Sequence, residues 1–333
     1  MKKIVVAPDS FKGSLTSAEV ADAVERGIKD VFPQCNVVKA GVADGGEGTV
    51  EAIVKAVGGD MYAASVTDPL GRPVKAAYGI VRSGGVKTAV MEMSAASGLP
   101  LLLPDELNPW ITSTYGTGEM ISDALNRGCR KFLVGIGGSA TNDAGTGMLS
   151  ALGVRFLDSS GQRLKGCGRD LESIARIDMS SLMPAARESE FIVACDVNTL
   201  FCGPDGAARV FAPQKGADPQ TAEALDRGMR SFAQVIAGQF QTDIVPLSGA
   251  GAAGGLGGAF KAFLNARLTA GIEMVLDAIA FDSLLEGADL VITGEGRIDA
   301  QTAAGKTAAG VLRHAARKGI PVIAIGGSVA MCR

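Results

Sequence analysis

The stretch 131–152, KFLVGIGGSATNDAGTGMLSAL, joins an apolar run to a helical pattern through a glycine-rich turn. Residues 132–136 leave no polar face, which is typical of a strand buried on both sides within a parallel sheet. After Gly145 the apolar residues take the spacing of a helix. A buried strand that leads directly into a helix is the basic unit of α/β folds, so this stretch predicts that class.

The turn inside this stretch has the residue types of an anion site. A strand that breaks on glycines and continues as a helix directs backbone N–H groups at one spot, which suits a phosphate. Short polar side chains add donors, and Asp143 adds a carboxylate that can hold a cation. An isolated turn of this kind is more often only a tight connection. The clustering of polar groups favours a binding site formed by Gly137, Gly138, Ser139, Thr141 and Asn142.

The first sixty residues contain two further strand–helix units. An apolar strand at 4–7 is followed by a polar loop that contains Asp9, and Thr16 with Glu19 forms the capping-box pattern of a helix start. A second strand leads through Asp44 and several glycines into another helix. Successive strand–helix units predict a parallel sheet with a functional site at its carboxyl edge.

The middle of the chain has a different character. Segments 74–81 and 86–93 have the alternation of two strands in an antiparallel meander around a Ser-Gly-Gly turn. The sequence therefore predicts an α/β protein with two domains. One is a parallel-sheet domain from residues 1–66 and 286–333, and the other is a larger mixed α+β domain inserted at 67–285.

Composition argues against several classes of function. A net charge of −3, a pI near 5.4 and 5% aromatic residues argue against nucleic-acid binding and against an anionic membrane surface. No apolar stretch approaches a membrane span in length, and the first apolar run is too short for a signal peptide. The six cysteines form no CxxC pair, which favours reduced thiols in the cytoplasm. The single histidine, His314, is predicted on a solvated helix face, so a histidine-based hydrolase is not expected.

The predicted strand ends share a chemical pattern. Five of them carry an acidic residue in a loop of small residues, whereas a lone Asp after a strand is usually a helix cap or turn former. Carboxylates gathered at one sheet edge would make an oxygen-rich site for Mg²⁺. Carboxylates, glycine turns and cations together describe phosphoryl transfer. The acidic residues are Asp9, Asp44, Asp143, Asp196 and Glu295, and the accompanying cations are Lys12, Arg72, Lys215 and Lys306.

Two other motifs match nucleotide-binding patterns, but each lacks a feature that such a site needs. Residues 249–254 match GxGxxG, but no acidic residue follows at the distance that a dinucleotide ribose needs, and a closely packed helix start is the alternative interpretation. The pattern leaves open an NAD-linked oxidoreductase of a hydroxy acid. Residues 300–307 have a P-loop pattern without its first glycine, and residues 294–299 separate the pattern from its strand, so a true P-loop is not expected. Lys306 at the predicted helix start could still meet a phosphate.

Six motifs occur in the order of a known family. They are IVVAPDSFKGSLTSAEVADA at 4–23, ADGGEGT at 43–49, DPLGRPV at 68–74, GIGGSATNDAGTGML at 135–149, GAGAAGGLG at 249–257 and TGEGRID at 293–299. Through them almost the entire chain resembles the type I glycerate kinases, which are glycerate 2-kinases. The resemblance implies ATP-dependent, Mg²⁺-assisted phosphorylation of D-glycerate at the 2-hydroxyl. It also implies a flavodoxin-like first domain and a site in the cleft between the domains.

The end of the chain departs from this family. Members continue past the strand at 322–325 through a further strand and helix, whereas this chain ends at Arg333. We therefore expect an uncovered sheet edge or apolar face beside that strand. A glycerate 3-kinase, the oxidoreductase and a non-catalytic binding form remain alternatives. The oligomeric state is left open, with a homodimer as one alternative.

Nucleotide and metal ligands are assigned from the residue types and from the resemblance. The phosphates of ATP are assigned to the five residues of the 137–142 turn named above, together with Lys306. Mg²⁺ is assigned to Asp143, Asp196 or Glu295, which supply the oxygen ligands that this ion prefers.

Substrate and base are assigned in the same way. A small acid needs at least one fixed cation, so the glycerate carboxylate and hydroxyls are assigned to Ser10, Lys12 and Arg72. A carboxylate can accept the proton of the attacking hydroxyl. The candidate bases are Asp196, which is favoured, Asp9 and Asp44.

Overall fold

The structure is a computed structural model that describes residues 1–11, 13–83, 85–299 and 307–330. Contacts between distant parts of the sequence divide the chain into two compact units. Unit 1 comprises Met1–Gly59 and Ala270–Arg333, and unit 2 comprises Asp60–Thr269.

The described residues form strands and helices in alternation over much of the chain. The strands are β1 (Lys3–Pro8), β2 (Asn36–Lys39), β3 (Gly59–Thr67), β4 (Pro73–Ser83), β5 (Val86–Glu92), β6 (Lys131–Gly135), β7 (Arg155–Leu157), β8 (Arg176–Asp178), β9 (Glu190–Ala194), β10 (Arg267–Thr269), β11 (Leu290–Ile298) and β12 (Val322–Val329). The helices are α1 (Ser17–Val31), α2 (Thr49–Val57), α3 (Ser94–Ser97), α4 (Tyr115–Asn126), α5 (Thr146–Ala151), α6 (Pro184–Arg187), α7 (Ala207–Phe211), α8 (Pro219–Phe240), α9 (Ala252–Leu264), α10 (Gly271–Ala278), α11 (Phe281–Leu284) and α12 (Thr307–Arg317).

Unit 1 is built on a four-stranded sheet in the order β12-β11-β1-β2. Every neighbouring pair in this sheet is parallel, as the strand–helix pattern predicts. The buried side chains of Ile4, Val6 and Leu290 pack against Ala21 and Ile28 of α1. Because the strands are parallel, the loops that follow β1, β2 and β11 leave the sheet at the same edge.

Unit 2 is built on a six-stranded sheet in the order β10-β9-β6-β5-β4-β3. Strands β10, β9, β6 and β5 are parallel neighbours, whereas β4 runs antiparallel to β5. Its core includes Phe132, Phe191 and Phe260, whose neighbouring ring centroids lie 4.7 and 5.8 Å apart. The predicted mixed character of the middle of the chain is confirmed.

The unit boundaries differ from the predicted domain boundaries at residues 66 and 286. Strand β3 lies next to β4 in the unit 2 sheet, and the division falls after Gly59, the first residue of β3. Helices α10 and α11 lie in unit 1, where α10 contacts both α2 and α12. The sequence pattern alone shows neither of these long-range contacts.

Local signals of the sequence correspond closely to the observed elements. The capping box of α1 is present, since the Thr16 backbone N–H donates to Glu19 Oε2 at 2.8 Å and Glu19 N–H donates to Thr16 Oγ1 at 3.3 Å. Residues 156–164 fold back around a turn at 158–161, since Leu164 N–H donates to Phe156 O at 2.9 Å and Asp158 N–H donates to Gln162 O at 3.0 Å. An antiparallel bridge joins Leu157 to Arg163 there, and β7 also pairs with β8.

The environment of His314 corrects the prediction of a solvated face. The side chain lies in α12 and is buried, with Nδ1 2.8 Å from Asp282 Oδ1 and Nε2 3.0 Å from Glu273 Oε2. Burial acts to lower the pKa of His314, but the two carboxylates outweigh burial and raise it above the usual value. The histidine therefore links α12 to α10 and α11.

Strand β12 is a terminal strand of the unit 1 sheet, and its residues Ile323, Ile325 and Val329 are exposed. The five cysteines in the described ranges form no disulfide bond with one another. No helix in the described part of the chain is long and apolar enough to cross a membrane.

Candidate functional site

In unit 2 the glycine turn after β6 lies at the carboxyl edge of the parallel strands. Gly137 and Gly138 are exposed, and Gly138 adopts a φ of +71°, which a side chain would strain. The turn is anchored where Ala140 N–H donates to Ser97 O at 3.0 Å. In the described structure, the amides of Gly137, Gly138 and Ser139 donate no loop hydrogen bond. These backbone donors are therefore available to a ligand, and the assignment of the turn to a phosphate stays a prediction.

A buried lysine supports this turn from inside. Lys215 ends the short 3-10 turn Pro213–Lys215 and is only 1% exposed. Its Nζ donates to Ser139 Oγ at 2.6 Å and to Thr141 O at 2.7 Å. Burial lowers the pKa of Lys215 to about 7, and the negative charge of Asp143 opposes that shift. The amine of Lys215 therefore lies behind the two residues, Ser139 and Thr141, that follow the exposed glycines.

The second half of the turn is buried instead of exposed. Thr141 and Asn142 have no exposed surface, and Thr141 Oγ1 and Asn142 Oδ1 have no hydrogen-bond partner in the described structure. Asn142 Nδ2 lies 3.2 Å from Met229 Sδ. The structure thus places Gly137 and Gly138 at the surface, with Ser139, which is 6% exposed, and these two residues behind them.

The geometry of Asp143 corrects its assignment as a metal ligand. The side chain has no exposed surface, and its oxygens accept hydrogen bonds from the Thr114 amide at 2.7 Å, the Thr114 hydroxyl at 2.8 Å and the Gly145 amide at 3.0 Å. Burial raises the pKa of Asp143, although these hydrogen bonds act in the opposite direction. Because its lone pairs face protein donors, the carboxylate holds the loop together and has no side open to an ion.

Asp196 takes a different position. It follows β9 at the same sheet edge and its side chain is exposed. The next polar side chain in this loop, Asn198, accepts a hydrogen bond from Ser248 at 2.9 Å. The favoured base thus lies on an anchored loop and reaches solvent.

The glycines at 249–258 pack closely. A Cβ at Gly254 would lie 2.2 Å from Thr141 O, and one at Gly251 would lie 2.0 Å from Leu200 O. Gly254 also accepts a hydrogen bond from the Ala144 amide at 2.9 Å. No strand directly precedes this segment, since α8 is the element before it. The interpretation as a closely packed helix start is confirmed, and the segment lacks the strand–turn–helix context of a dinucleotide site.

Arg72 is engaged by two carboxylates of its own unit. Its Nε donates to Asp68 Oδ2 at 2.6 Å, and Nη1 donates to Glu106 Oε1 at 2.6 Å. These carboxylates raise the pKa of Arg72 further above its usual value. Binding a substrate carboxylate would require Arg72 to share or exchange these partners, so its substrate role stays a prediction.

In unit 1 the carboxyl ends of β1 and β11 bring Asp9 and Glu295 to neighbouring strands. Asp9 N–H donates to Gly294 O at 2.8 Å, which fixes the two loops together. Asp9 Oδ1 accepts from the Ser10 amide at 2.6 Å, and Oδ2 accepts from the Thr307 hydroxyl at 2.6 Å. Both acidic side chains are 8% exposed, and Glu295 Oε1 has no hydrogen-bond partner among the described residues. A carboxylate oxygen without a hydrogen-bond partner is the kind of ligand that an added cation would need.

The remaining unit 1 candidates lie in the loops after β1 and β2. Ser10 is half-buried beside Asp9. Asp44 is also half-buried and accepts a hydrogen bond from the Gly46 amide at 3.2 Å. Lys12 and Lys306 lie outside the described residues, so their predicted roles in substrate and phosphate binding stay predictions. No group of three or more His, Cys, Asp or Glu side chains suited to a metal occurs in the described ranges.

Sequence patterns did not identify two of the most informative positions. The contact of Lys215 with the glycine turn spans 76 positions of sequence, and that of Thr307 with Asp9 spans 298. Lys215 looked like one of several cations, and Thr307 was part of an imperfect P-loop pattern. Only burial and long-range contact distinguish these two residues from ordinary surface positions.

Comparisons with known proteins agree with the resemblance in the sequence. The model of the "Glycerate kinase family" matches residues 4–332. The "Glycerate kinase" of Bacillus subtilis strain 168 is 49% identical over 98% of this chain and 85% of its own length. The "Glycerate 2-kinase" of Escherichia coli K12 is 46% identical, with the same shares covered.

A solved structure extends the comparison to three dimensions. It is provisionally described as glycerate kinase 2 from Salmonella typhimurium LT2 and is 46% identical to this chain. It superposes with a TM-score of 0.93 over 99% of this chain and 90% of the other. Since the family match spans nearly the whole sequence and the folds agree, the chain belongs to the glycerate kinase family.

Proposed function

We propose that the protein is an ATP-dependent phosphotransferase that phosphorylates D-glycerate at the 2-hydroxyl to give 2-phosphoglycerate. The observation that carries this proposal is the family match over residues 4–332. A relative that is 46% identical and named for the 2-kinase activity favours the 2-hydroxyl over the 3-hydroxyl. No observation favours the oxidoreductase, because residues 249–254 are packed against protein atoms and lack a preceding strand.

We assign the ATP phosphates to the turn after β6. The exposed Gly137 and Gly138 and the nearly buried hydroxyl of Ser139 offer donors at one point, with the amine of Lys215 behind them. Phosphoryl transfer needs positioning and charge neutralisation more than covalent chemistry, and this turn supplies both. Thr141 and Asn142 shape the turn from behind, and a direct contact with phosphate would require them to move.

The chain offers Mg²⁺ two kinds of carboxylate ligand, one exposed and one without a hydrogen-bond partner. Glu295 Oε1 lacks a hydrogen-bond partner among the described residues, and Asp196 is exposed. Mg²⁺ usually takes one or two carboxylates and completes its shell with water and phosphate oxygens, so a cage of three acidic residues is not required. When bound, the ion would neutralise charge on the transferred phosphoryl group.

Glycerate recognition and proton removal are assigned to loops at the strand ends. Ser10, Lys12 and Arg72 remain the proposed contacts of the substrate carboxylate and hydroxyls. Asp196 is the proposed base because it is exposed at the carboxyl edge of the unit 2 sheet. Asp9 and Asp44 are the alternatives, and Asp9 is the more rigidly held because each of its carboxylate oxygens accepts a hydrogen bond.

We further propose that the two units are two domains, the first of them flavodoxin-like. A cytoplasmic location and the oligomeric state also stay predictions. The non-catalytic alternative predicts that ligands stabilise the protein against heat without any transfer of phosphate.

A coupled assay of ADP formation tests the proposal. The purified chain is incubated with ATP, Mg²⁺ and D-glycerate, with L-glycerate as the matched control. The proposal predicts ADP formation that depends on D-glycerate. Growth of reduced-nicotinamide absorbance with NAD and glycerate, in the absence of ADP formation, would instead support the oxidoreductase. Thermal stabilisation without ADP would support the binding form.

A further inference from the structure

Lys215 is buried without a carboxylate partner, which is unusual for a lysine. Lysine is almost never fully buried unless it is paired, because removing an ammonium group from water is costly. Among the described residues, its Nζ contacts one hydroxyl and one backbone carbonyl and forms no ion pair. Asp143 is the charged group that acts on it, and that carboxylate is occupied by Thr114 and Gly145. When protonated, this amine has no carboxylate bonded to it among the described residues, and a bound anion would supply the missing negative charge.

The contact with Ser139 has a defined direction. A lysine ammonium has three donors and no acceptor. Ser139 Oγ must therefore accept the hydrogen bond from Lys215 Nζ, over 2.6 Å. The hydroxyl hydrogen of Ser139 is then left to point away from the lysine. Ser139 is 6% exposed and follows the exposed Gly137 and Gly138, so this hydrogen is available to a group bound at the turn.

The backbone at Lys215 is closely packed, and the amine is held by burial and by its two hydrogen bonds. The Lys215 amide donates to Ala212 O at 3.0 Å, and the next residue, Gly216, has a φ of +95°. A Cβ at Gly216 would lie 2.1 Å from Leu107 O, so only glycine fits there. These contacts set where the Lys215 side chain starts, and the two hydrogen bonds set where Nζ ends.

We propose that Lys215 is a positioning residue for nucleotide binding, which as an ammonium group turns the Ser139 hydroxyl toward a phosphate oxygen and completes the anion site from behind. This inference rests on the proposed function, because it takes the anion to be a nucleotide phosphate. The neutral amine has a lone pair to which the Ser139 hydroxyl can donate, so loss of the proton lets Ser139 turn away from the ligand. Phosphate binding and protonation of Lys215 therefore favour each other.

The test measures ATP binding by calorimetry, separately from turnover. Lys215→Met keeps the length and removes the charge, and Ser139→Ala removes the hydroxyl that it orients. Each is expected to raise the Kd for ATP roughly tenfold to a hundredfold, as for loss of a hydrogen bond to a charged group. The double variant is expected to lose no more ATP affinity than the weaker-binding single variant. The reason is that both changes break the same relay, in which Lys215 orients the Ser139 hydroxyl and this hydroxyl contacts the phosphate. Additive losses, or wild-type affinity in Lys215→Met, would overturn the relay.

A matched control for the charge of Lys215 is available in the unit 2 sheet. Lys75 of β4 donates to Ser65 of β3 at 2.5 Å, and both residues are exposed. Lys75→Met removes the same charge and the same type of bond away from the turn. ATP affinity is expected to stay at the wild-type value in this variant. An equal loss in Lys75→Met and Lys215→Met would show that net charge alone is responsible and would overturn the relay.

A pH series provides a second test if Lys215→Met does not fold. Burial lowers the pKa of Lys215 to about 7, and a bound phosphate raises it again. ATP affinity is therefore expected to be highest below about pH 7 and to fall as pH rises through the pKa of the free protein. Ser139→Ala is expected to flatten that fall, since the hydroxyl transmits the effect. A pH dependence that is unchanged in Ser139→Ala would overturn the relay.

These outcomes separate the relay from the proposed function. Binding of ATP that depends on Lys215, in a protein that does not phosphorylate glycerate, would support the relay and reject the function. Turnover of D-glycerate with wild-type ATP affinity in Lys215→Met would support the function and reject the relay. Failure of the wild-type protein to bind ATP would reject both.

Discussion

Thr307 and Asp9 are joined by a hydrogen bond of 2.6 Å between the threonine hydroxyl and Asp9 Oδ2, although they are 298 positions apart. The other oxygen, Oδ1, accepts from the Ser10 amide at 2.6 Å. A carboxylate that is held at both oxygens has little rotational freedom, as is expected of a side chain that positions a substrate. The start of α12 thus fixes the orientation of an acidic residue at the end of β1.

Thr307→Val tests this orientation, because valine has the shape of threonine without the hydroxyl. If Asp9 acts in the reaction, loss of the donor is expected to lower kcat roughly tenfold or more. Thr307→Ser keeps the hydroxyl and is expected to retain most of the rate. Initial rates of ADP formation with D-glycerate provide the measurement. Equal rates for wild type and Thr307→Val would remove Asp9 and Thr307 from the catalytic arrangement.

Asp196→Asn tests the assignment of the base. The amide cannot accept the hydroxyl proton, so kcat is expected to fall by roughly 10²–10⁴, the usual contribution of a general base. Because the side chain is exposed, the free energy of unfolding is expected to change by no more than about 0.5 kcal/mol. Asp205→Asn, at another exposed position in unit 2, is the control and is expected to be fully active. Near-normal turnover in Asp196→Asn would reject the assignment and direct attention to Asp9.

His314→Gln tests the buried histidine as a pH-dependent link. Burial opposes protonation, but Glu273 and Asp282 outweigh it and raise the pKa of His314 above its unfolded value. A raised pKa gives stability that is fully present below the unfolded pKa, near 6.5, and is lost as pH rises through the folded pKa. The difference in unfolding free energy between wild type and His314→Gln is therefore expected to be larger at pH 6 than at pH 9. Urea unfolding at both pH values measures it, and a difference that grows toward pH 9 would contradict the assignment.

Gly254→Ala tests the packing of the glycine-rich segment. The added Cβ would lie 2.2 Å from Thr141 O, and the residue has a φ of +67°, so both sterics and backbone conformation oppose alanine. We expect a loss of about 2–4 kcal/mol in unfolding free energy from overpacking and strain. Gly238→Ala in α8 is the control. A Cβ there meets nothing within 4 Å, so alanine is expected to be neutral or to stabilise the helix by up to about 1 kcal/mol. Equal stability of the two variants would contradict the packing account.

Much of the fold could be predicted because its signals are local. The apolar strands, the Thr16 capping box and the glycine turn at 137–138 each depend on neighbouring residues, and the structure contains all of them. The parallel strand pairs of both sheets follow from alternating strands and helices, which leave few other connections. Glycines at strand ends were therefore reliable guides to the edge where the candidate loops lie.

Burial within the candidate site could not be predicted in the same way. Asp143 and Asp196 both follow an apolar strand, yet one is enclosed by backbone donors and the other is exposed. The difference comes from Thr114, which is far from Asp143 in sequence and contributes two of its hydrogen bonds. The burial of His314 also depends on distant residues, since its carboxylate partners lie on α10 and α11. The order of residue types along the sequence does not reveal which distant residues will contact one another.

The position of the transferred phosphate tests the central claim most directly. The purified chain is incubated with ATP, Mg²⁺ and D-glycerate, and enolase is added without phosphoglycerate mutase. Enolase acts on 2-phosphoglycerate, so the proposed 2-kinase predicts immediate growth of phosphoenolpyruvate absorbance in step with ADP formation. Absorbance that grows only after the mutase is added would identify a 3-kinase, and absence of ADP would reject the kinase function altogether.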